Sequence, residues 1–218
     1  MNYAHIIQVI VLYAIPGIFA ITLHEAAHGY AARHFGDLTA YQAGRISLNP
    51  LRHIDPLGTL LVPALILLAS GGKYAFGWAK PVPVNFGRLR HPKQDMFWVA
   101  AAGPIANLVM ALCWAAAVKL AAVAPPNYFT RPMLLMAQGG IVINIVLMVL
   151  NLLPLPPLDG GRIAVSLLPH RAAFRFARIE PYGMMILLIL MFTGVLNVIM
   201  WPFIAAAISV IAGLFGIS

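Results

Sequence analysis

The sequence predicts an all-α polytopic membrane protein, with about four to six transmembrane helices and a small re-entrant or β-strand segment. Its 218 residues are 61% hydrophobic and 9% charged, and the mean hydropathy is +0.88. Soluble domains are about 45–50% apolar and about 25% charged. A soluble core of this composition would need a much larger polar shell. We therefore expect one integral membrane domain over residues 1–218.

The charge balance indicates a membrane surface rather than a nucleic acid partner. Fourteen Lys and Arg residues against six Asp and Glu residues give a net charge of +8. Basic cytoplasmic loops and attraction to anionic lipid explain this excess, so no nucleic acid partner is expected. The single cysteine, Cys113, excludes an internal disulfide and a cysteine-based metal cluster.

The first half of the chain predicts one long helix and two strand-like stretches beside a short apolar run. Residues 5–35 form an apolar stretch long enough to span a bilayer with tilt. Residues 45–49, "RISLN", suit a short strand. Residues 57–69 are apolar but too short for an ordinary span. An apolar run of this length is more typical of a re-entrant segment. Residues 80–85, "KPVPVN", suit an edge strand, because proline cannot donate to an interior ladder.

The second half predicts two clear spans and a longer apolar region. Residues 96–123 and 132–152 each have the length and composition of a transmembrane helix. Prolines then interrupt the chain in "NLLPLPPLDGGR", residues 151–162. Residues 182–217 are too long for one untilted span, and we expect a break near Trp201 and Pro202.

The basic residues favour one orientation in the membrane. If residues 57–69 enter and leave on the same side, three basic loops lie on that side and only the loop with Arg131 lies opposite. If they span, the basic loops divide between both sides. Because cytoplasmic loops carry the excess of Lys and Arg, the re-entrant arrangement is favoured. The sequence therefore predicts a multi-pass protein of the cytoplasmic membrane.

Two histidines and a glutamate lie within five positions of the first predicted helix, in "HEAAH". His24 and His28 are four residues apart, so a helix carries both imidazoles on one face, where they can bind one zinc ion. Glu25 lies beside them, where a carboxylate can accept a proton from an activated water. Satisfied polar residues in a packed core are the alternative. Ionisable groups inside a membrane helix are costly and usually functional, which favours the metal site.

A catalytic zinc site usually has a third protein ligand and an open position. Asp37, Asp55 and Asp95 lie in or beside polar loops and are expected to be solvated, and Glu180 is expected at the start of a helix. Asp159 follows the proline-broken end of a span, and unwound backbone in a membrane is tolerated beside a wet cavity. We expect this segment to aim Asp159 inward as the third ligand. An ordinary Asp-Gly turn is the alternative.

The two motifs together resemble the site-2 protease family of intramembrane zinc metalloproteases, in its compact bacterial form without a PDZ or CBS domain. "GPIAN" at residues 103–107 and the loop "FGWAKPVPVN" also resemble that family. The residues that match its two main motifs are His24, Glu25 and His28, followed by Asn151, Pro154, Pro156, Asp159 and Gly160.

This resemblance implies a zinc metalloendopeptidase that cleaves membrane-protein substrates within or near their transmembrane segments. It implies one zinc ion per chain, bound by His24, His28 and Asp159, with Glu25 as the general base. It also implies that Asn151 helps to hold the substrate or the oxyanion. The expected partners are a transmembrane protein substrate and the lipid bilayer, and the oligomeric state stays open.

Two alternatives remain at this stage. Broken helices and ionisable groups at the midplane also suit a metal-binding membrane transporter without hydrolytic activity. Glu25 separates the two functions, because only hydrolysis needs the base. Asn107, in the predicted helix over residues 96–123, is either an interhelical hydrogen-bonding residue or a second-shell partner of the site.

Overall fold

The computed structural model describes residues 3–69, 77–125 and 127–217, and its regular structure in these ranges is helical. The all-α prediction is therefore confirmed. In chain order the helices are α1 (Tyr3–His34), α2 (Thr39–Gln42), α3 (Val62–Ala69), α4 (Pro92–Val123), α5 (Thr130–Asn151), α6 (Asp159–Leu167), α7 (His170–Ala177), α8 (Glu180–Phe192) and α9 (Val195–Phe215).

Long apolar helices confirm that the chain is a polytopic membrane protein. Among the described residues, α4, α5 and α9 are long and apolar enough to cross a bilayer. Helix α1 has 32 residues, which corresponds to about 48 Å at 1.5 Å per residue. The hydrocarbon core of a bilayer is about 30 Å thick, so α1 is also long enough to cross it.

Helices α1, α4 and α5 pack against one another and carry most of the candidate site. Small residues line their contacts: Ala20, Ala32, Ala111 and Ala115 are fully buried. Gly140 of α5 shows how close this packing is, because a Cβ there would lie 2.5 Å from the Trp114 ring. Small side chains let membrane helices approach closely enough for van der Waals contacts and interhelical hydrogen bonds to hold them.

The two predicted strands do not form, which corrects that part of the predicted fold. Residues 45–49 and 77–85 are irregular in the structure. They lie near each other over α1, where the guanidinium of Arg45 donates to the carbonyl oxygens of Lys80 and Pro81 at 2.9 and 3.4 Å. Pro81 and Pro83 have no N–H, so a regular ladder would lack donors there. The side chain of Arg45, rather than a neighbouring strand, therefore holds residues 80 and 81.

The short apolar segment over residues 57–69, for which re-entry stays a prediction, is hydrogen-bonded near its beginning to residue 78. A wide helical turn, Pro56–Leu61, leads into α3. After it, the backbone N–H of Trp78 donates to the carbonyl of Gly58 at 3.0 Å. The hydroxyl of Thr59 donates to the carbonyl of Trp78 at 2.9 Å. The chain therefore returns to the point where the segment began.

The predicted break near Trp201 and Pro202 is wrong. Both residues lie inside α9, and the chain breaks instead between Phe192 and Val195. Gly194 has φ +78°, a left-handed conformation that glycine adopts without steric cost. Its N–H donates to the carbonyl of Met191 at 3.1 Å, which caps α8. A glycine cap therefore ends the helix, while a proline is tolerated within the next one.

Candidate metal centre

Helix α1 brings His24 and His28 together, and the first residue of α6 completes the group with Asp159. The two Nε2 atoms are 3.1 Å apart. Oδ2 of Asp159 lies 3.2 Å from Nε2 of His24 and 3.3 Å from Nε2 of His28. Within the described part of the chain, these three residues form the group of His, Cys, Asp and Glu side chains that could hold a metal ion.

The other nitrogen of each imidazole faces a hydrogen-bond acceptor. Nδ1 of His28 lies 2.7 Å from the carbonyl oxygen of Val99, and Nδ1 of His24 lies 2.6 Å from Oδ1 of Asn107. Neither oxygen carries a proton, so each Nδ1 must donate one. In the neutral imidazole this leaves Nε2 as a lone-pair acceptor. Both histidines therefore direct lone pairs towards Asp159.

Three acceptors that converge without a proton between them fit a cation. Oδ2 of Asp159 is buried and has no hydrogen-bond donor among the described residues. Tetrahedral zinc with bonds of about 2.0–2.1 Å separates its ligand atoms by about 3.3–3.4 Å. The observed separations of 3.1, 3.2 and 3.3 Å are close to these values. The donor set of two imidazoles and a carboxylate also matches what zinc prefers.

The proline-rich stretch after α5 explains how Asp159 reaches the group. Helix α5 ends at Asn151, and α6 begins at Asp159 after a turn over residues 152–158. The Pro156–Pro157 bond in this turn is cis. Gly160 and Gly161 lie directly against the backbone of that turn, where no Cβ would fit. The close approach of the two backbones brings Asp159 next to the histidines, and its role as the third ligand stays a prediction.

Gly103 of α4 lies against both imidazoles. A Cβ built there would lie 2.5 Å from Cε1 of His24 and 2.5 Å from Nε2 of His28. No side chain larger than hydrogen fits without displacing these rings. The glycine of "GPIAN" therefore leaves the space that the imidazoles of His24 and His28 occupy.

Substitution of Gly103 by alanine is expected to remove most of the bound zinc, because the new methyl group would push the two Nε2 atoms apart. Zinc per chain in the purified protein, determined by plasma mass spectrometry, measures the effect. Gly213→Ala in α9 is the matched control, since a Cβ there meets nothing within 4 Å. Wild-type zinc content in Gly103→Ala would contradict the proposed ligand geometry.

Glu25 lies beside the metal group, and its carboxylate has a backbone partner that sequence reasoning missed. The N–H of Val82 donates to Oε2 of Glu25 at 2.8 Å. Pro81 and Pro83 have no N–H, so Val82 carries the one backbone donor in this tripeptide. From the alternation of proline and valine the sequence predicts an edge strand. The effect of this alternation in the folded chain is to present a single donor to the glutamate.

Asn151 is the last residue of α5 and lines the same cavity as His24, Glu25, His28 and Asp159. Its Nδ2 donates to the carbonyl of Leu147 at 3.0 Å, one turn back in the helix. An amide nitrogen carries two N–H groups, so this bond leaves a second donor for a ligand. Asn151 thus lies in the cavity, and its role in the site stays a prediction.

The cavity beside the metal group is about 500 Å³ in volume. Its walls combine the polar group with apolar side chains, among them Ile21, Val84, Leu147, Leu150, Met184 and Leu187. Residues 77–79 and 81–84 also line the cavity, so the irregular segment that holds Glu25 faces this space. Predominantly apolar walls with a few placed polar groups are typical of a ligand site.

Two carboxylates expected as solvated charges are buried. Asp37 is fully buried and accepts hydrogen bonds from Thr39 N–H at 2.9 Å and Asn85 N–H at 2.7 Å. Asp95 is 5% exposed and accepts from the N–H of His91 at 2.7 Å. Burial raises the pKa of Asp37, but the bonds from Thr39 and Asn85 outweigh it and hold the pKa below its usual value. Asp37 therefore fixes the end of the segment that contacts Glu25.

Known proteins of similar sequence are zinc-dependent peptidases by family or by name. Residues 127–194 match the model of Peptidase family M50. A relative named "Putative zinc metalloprotease YwhC", from Bacillus subtilis, is 37% identical over 206 residues, which cover 91% of this chain and 88% of the relative.

Two further relatives are each named "Putative zinc metalloprotease Rip2". The protein from Mycolicibacterium smegmatis is 30% identical, and the match covers 88% of this chain and 70% of that relative. The protein from Mycobacterium tuberculosis strain H37Rv is 28% identical, with 88% and 73% covered. No solved structure matches the chain.

Proposed function

Because the chain belongs to peptidase family M50, the site-2 family of intramembrane zinc metalloproteases, we propose that His24, His28 and Asp159 hold its catalytic zinc and that Glu25 is its general base. The observation that carries this assignment is the convergence of three lone-pair atoms within 3.3 Å of one another. The stoichiometry is one zinc ion per chain, bound within a single membrane domain over residues 1–218.

The assigned residues divide the chemistry of peptide hydrolysis between them. Zinc supplies Lewis-acid chemistry, polarising a carbonyl and making water more acidic. Glu25 accepts the proton of the attacking water and passes it to the leaving amine. The Val82 N–H holds Oε2 of the glutamate, and Oε1 is the oxygen that we assign to proton transfer. A fixed carboxylate needs little reorganisation during the reaction.

Asn151 stabilises the negative charge that develops on the carbonyl oxygen of the scissile bond. Its amide lines the same cavity as Glu25 and Asp159, and it keeps a second N–H for a ligand. Donors aimed at a developing oxyanion lower the barrier, and the loss of one such donor costs about 10²–10³-fold in kcat. The bond to Leu147 orients the amide before substrate arrives.

The substrate is a transmembrane segment of another protein that unwinds locally before cleavage. A helical substrate uses its carbonyls in internal hydrogen bonds, so the scissile peptide must leave the helix to reach the zinc. Residues 77–79 and 81–84 are irregular and line the cavity, and Arg45 of the other irregular stretch contacts Lys80 and Pro81. The backbone carbonyl oxygens of residues 77–85 can accept hydrogen bonds from the N–H groups of an unwound peptide. The apolar cavity walls suit the side chains of a membrane segment.

The site opens towards the cytoplasm in the cytoplasmic membrane. Arg33 and His34 occupy the last turn of α1, and His24 lies about 14 Å from Arg33 along the helix at 1.5 Å per residue. The excess of basic residues near this end supports a cytoplasmic position. Water and zinc therefore reach the group from the cytoplasmic side.

Cleavage of a single-span model substrate by the purified protein tests the proposal. Reconstituted wild-type protein is expected to cut the substrate within or near its transmembrane segment, with the cut located by mass spectrometry. A chelator is expected to abolish cleavage, and zinc to restore it, because the ligand group binds the metal reversibly. Undiminished cleavage after the zinc has been removed would contradict the proposal. The transporter alternative is not favoured, because the family is one of peptidases.

A further inference from the structure

Two buried amides lie behind His24, on the side away from the metal group. Asn107 of α4 and Asn144 of α5 are both 0% exposed. Oδ1 of Asn107 lies 2.6 Å from Nδ1 of His24, and Nδ2 of Asn107 lies 3.0 Å from Oδ1 of Asn144. Nδ2 of Asn144 lies 2.8 Å from the carbonyl oxygen of Gly140. The amides therefore form a continuous chain from the backbone of α5 to the imidazole on α1.

Backbone carbonyls fix the direction of every hydrogen bond in this chain. The Gly140 oxygen can only accept, so Asn144 must present its NH₂ group there and its oxygen to Asn107. Asn107 must then present its NH₂ group to Asn144, and the same group lies 3.3 Å from the carbonyl oxygen of Ala20. Its oxygen is left for His24. An amide flip at either asparagine would set two acceptors or two donors against each other.

The end of the chain determines which nitrogen of His24 carries the proton. Because Oδ1 of Asn107 accepts, Nδ1 of His24 must be the N–H and Nε2 must carry the lone pair. His28 reaches the same state through the carbonyl of Val99. A backbone carbonyl cannot be removed by substitution, whereas Asn107 and Asn144 can. Of the two histidines, only His24 therefore has a tautomer that is set by side chains.

We propose that Asn107 is a positioning residue that holds His24 in the tautomer and orientation needed to bind zinc, and that Asn144 orients Asn107 for this task. The inference rests on the proposed role of His24 as a zinc ligand. Partners of the second ring nitrogen orient metal-binding histidines, and their loss typically lowers metal affinity by about 10–100-fold. From the sequence, Asn107 is either an interhelical hydrogen-bonding residue or a partner of a zinc ligand. In the structure the same amide contacts both Asn144 and His24.

The zinc affinity of Asn107 variants distinguishes a positioning role of this residue from a role in helix packing alone. Asn107→Leu keeps the approximate size but removes the acceptor, so zinc affinity is expected to fall by about 10–100-fold. Asn107→Asp keeps an acceptor for Nδ1, but its second oxygen faces the acceptor oxygens of Ala20 and Asn144. It is therefore expected to bind zinc less tightly than wild type and more tightly than the leucine variant. Asn144→Leu is expected to lose less affinity than Asn107→Leu, because the carbonyl of Ala20 still anchors Asn107.

The measurement is competition for zinc with a chelator of known affinity, on full-length protein in detergent, together with the melting temperature of each zinc-free variant. A purely packing role would lower the melting temperature of Asn107→Leu and leave its zinc affinity at the wild-type value, which would overturn the inference. If Asn107→Leu does not fold, Asn107→Asp decides: an affinity loss as large as that of His24→Ala would overturn the inference.

The His24→Ala variant distinguishes failure of this inference from failure of the proposed site. If His24→Ala binds zinc as tightly as wild type, His24 is not a ligand, and both the site and the inference fail. If His24→Ala loses affinity while Asn107→Leu keeps it, the ligand assignment stands and only the positioning role is wrong. Weakened binding in both, with tighter binding by Asn107→Asp than by Asn107→Leu, supports the inference.

Discussion

Replacement of Glu25 by glutamine is expected to lower the cleavage rate by about 10²–10⁴-fold, the usual contribution of a general base. Glutamine has nearly the same size, and its amide oxygen can still accept from the Val82 N–H, so the local structure should persist. Its amide cannot accept the proton of the attacking water. Zinc content should stay near the wild-type value, because Glu25 lies outside the group of three converging ligand atoms.

Glu180→Gln is the matched control for this experiment. Glu180 begins α8, and its half-exposed side chain lies 3.8 Å from Arg162. The same chemical change at this position is expected to leave cleavage close to wild type, because exposed ion pairs contribute little. The rates come from the disappearance of a single-span substrate in reconstituted vesicles. Cleavage by Glu25→Gln at the rate of Glu180→Gln would exclude Glu25 as the base.

Loss of both histidines is expected to empty the metal site. The His24→Ala, His28→Ala double variant keeps one of the three ligands, so it should retain less than about one tenth of the wild-type zinc after purification. Cleavage should fall with the zinc. Zinc per chain, measured by plasma mass spectrometry on the purified protein, checks the prediction.

His34→Ala controls for the loss of a histidine from the same helix. His34 is exposed at the end of α1, ten residues beyond His24 in the sequence. Its removal should leave the zinc content unchanged. Undiminished zinc in the double variant would show that the metal binds elsewhere in the chain.

The parts of the fold that sequence could predict are those governed by local rules. Apolar length predicts α4 and α5, and the spacing of His24 and His28 predicts their convergence, because a helix fixes the separation of positions i and i+4. Asp159 could be recognised because prolines and glycines break the chain just before it and a motif accompanies it. Its distance from the histidines depends on how α6 packs, which no local pattern specifies.

The parts that sequence could not predict depend on which helices become neighbours. The role proposed for Asn107 depends on contacts between α1, α4 and α5, and its bond to Asn144 joins residues 37 positions apart. Asp37 was expected to be solvated because its neighbours in sequence are polar, yet Asn85 approaches it from 48 positions away. The helix break at Gly194 was missed because proline is the stronger helix breaker by propensity, while the fold uses a glycine cap.

The central claim is that zinc binding and proton transfer are divided between Asp159 and Glu25, and one comparison tests it most directly. Zinc content and cleavage of a single-span substrate are measured on the same preparations of the wild-type, Glu25→Gln and Asp159→Asn proteins. Glu25→Gln should keep its zinc and lose cleavage, whereas Asp159→Asn should lose both, because an amide is a weaker ligand than a carboxylate. Asp159→Asn protein that keeps both its zinc and its cleavage, or Glu25→Gln protein that cleaves at the wild-type rate, would contradict the claim.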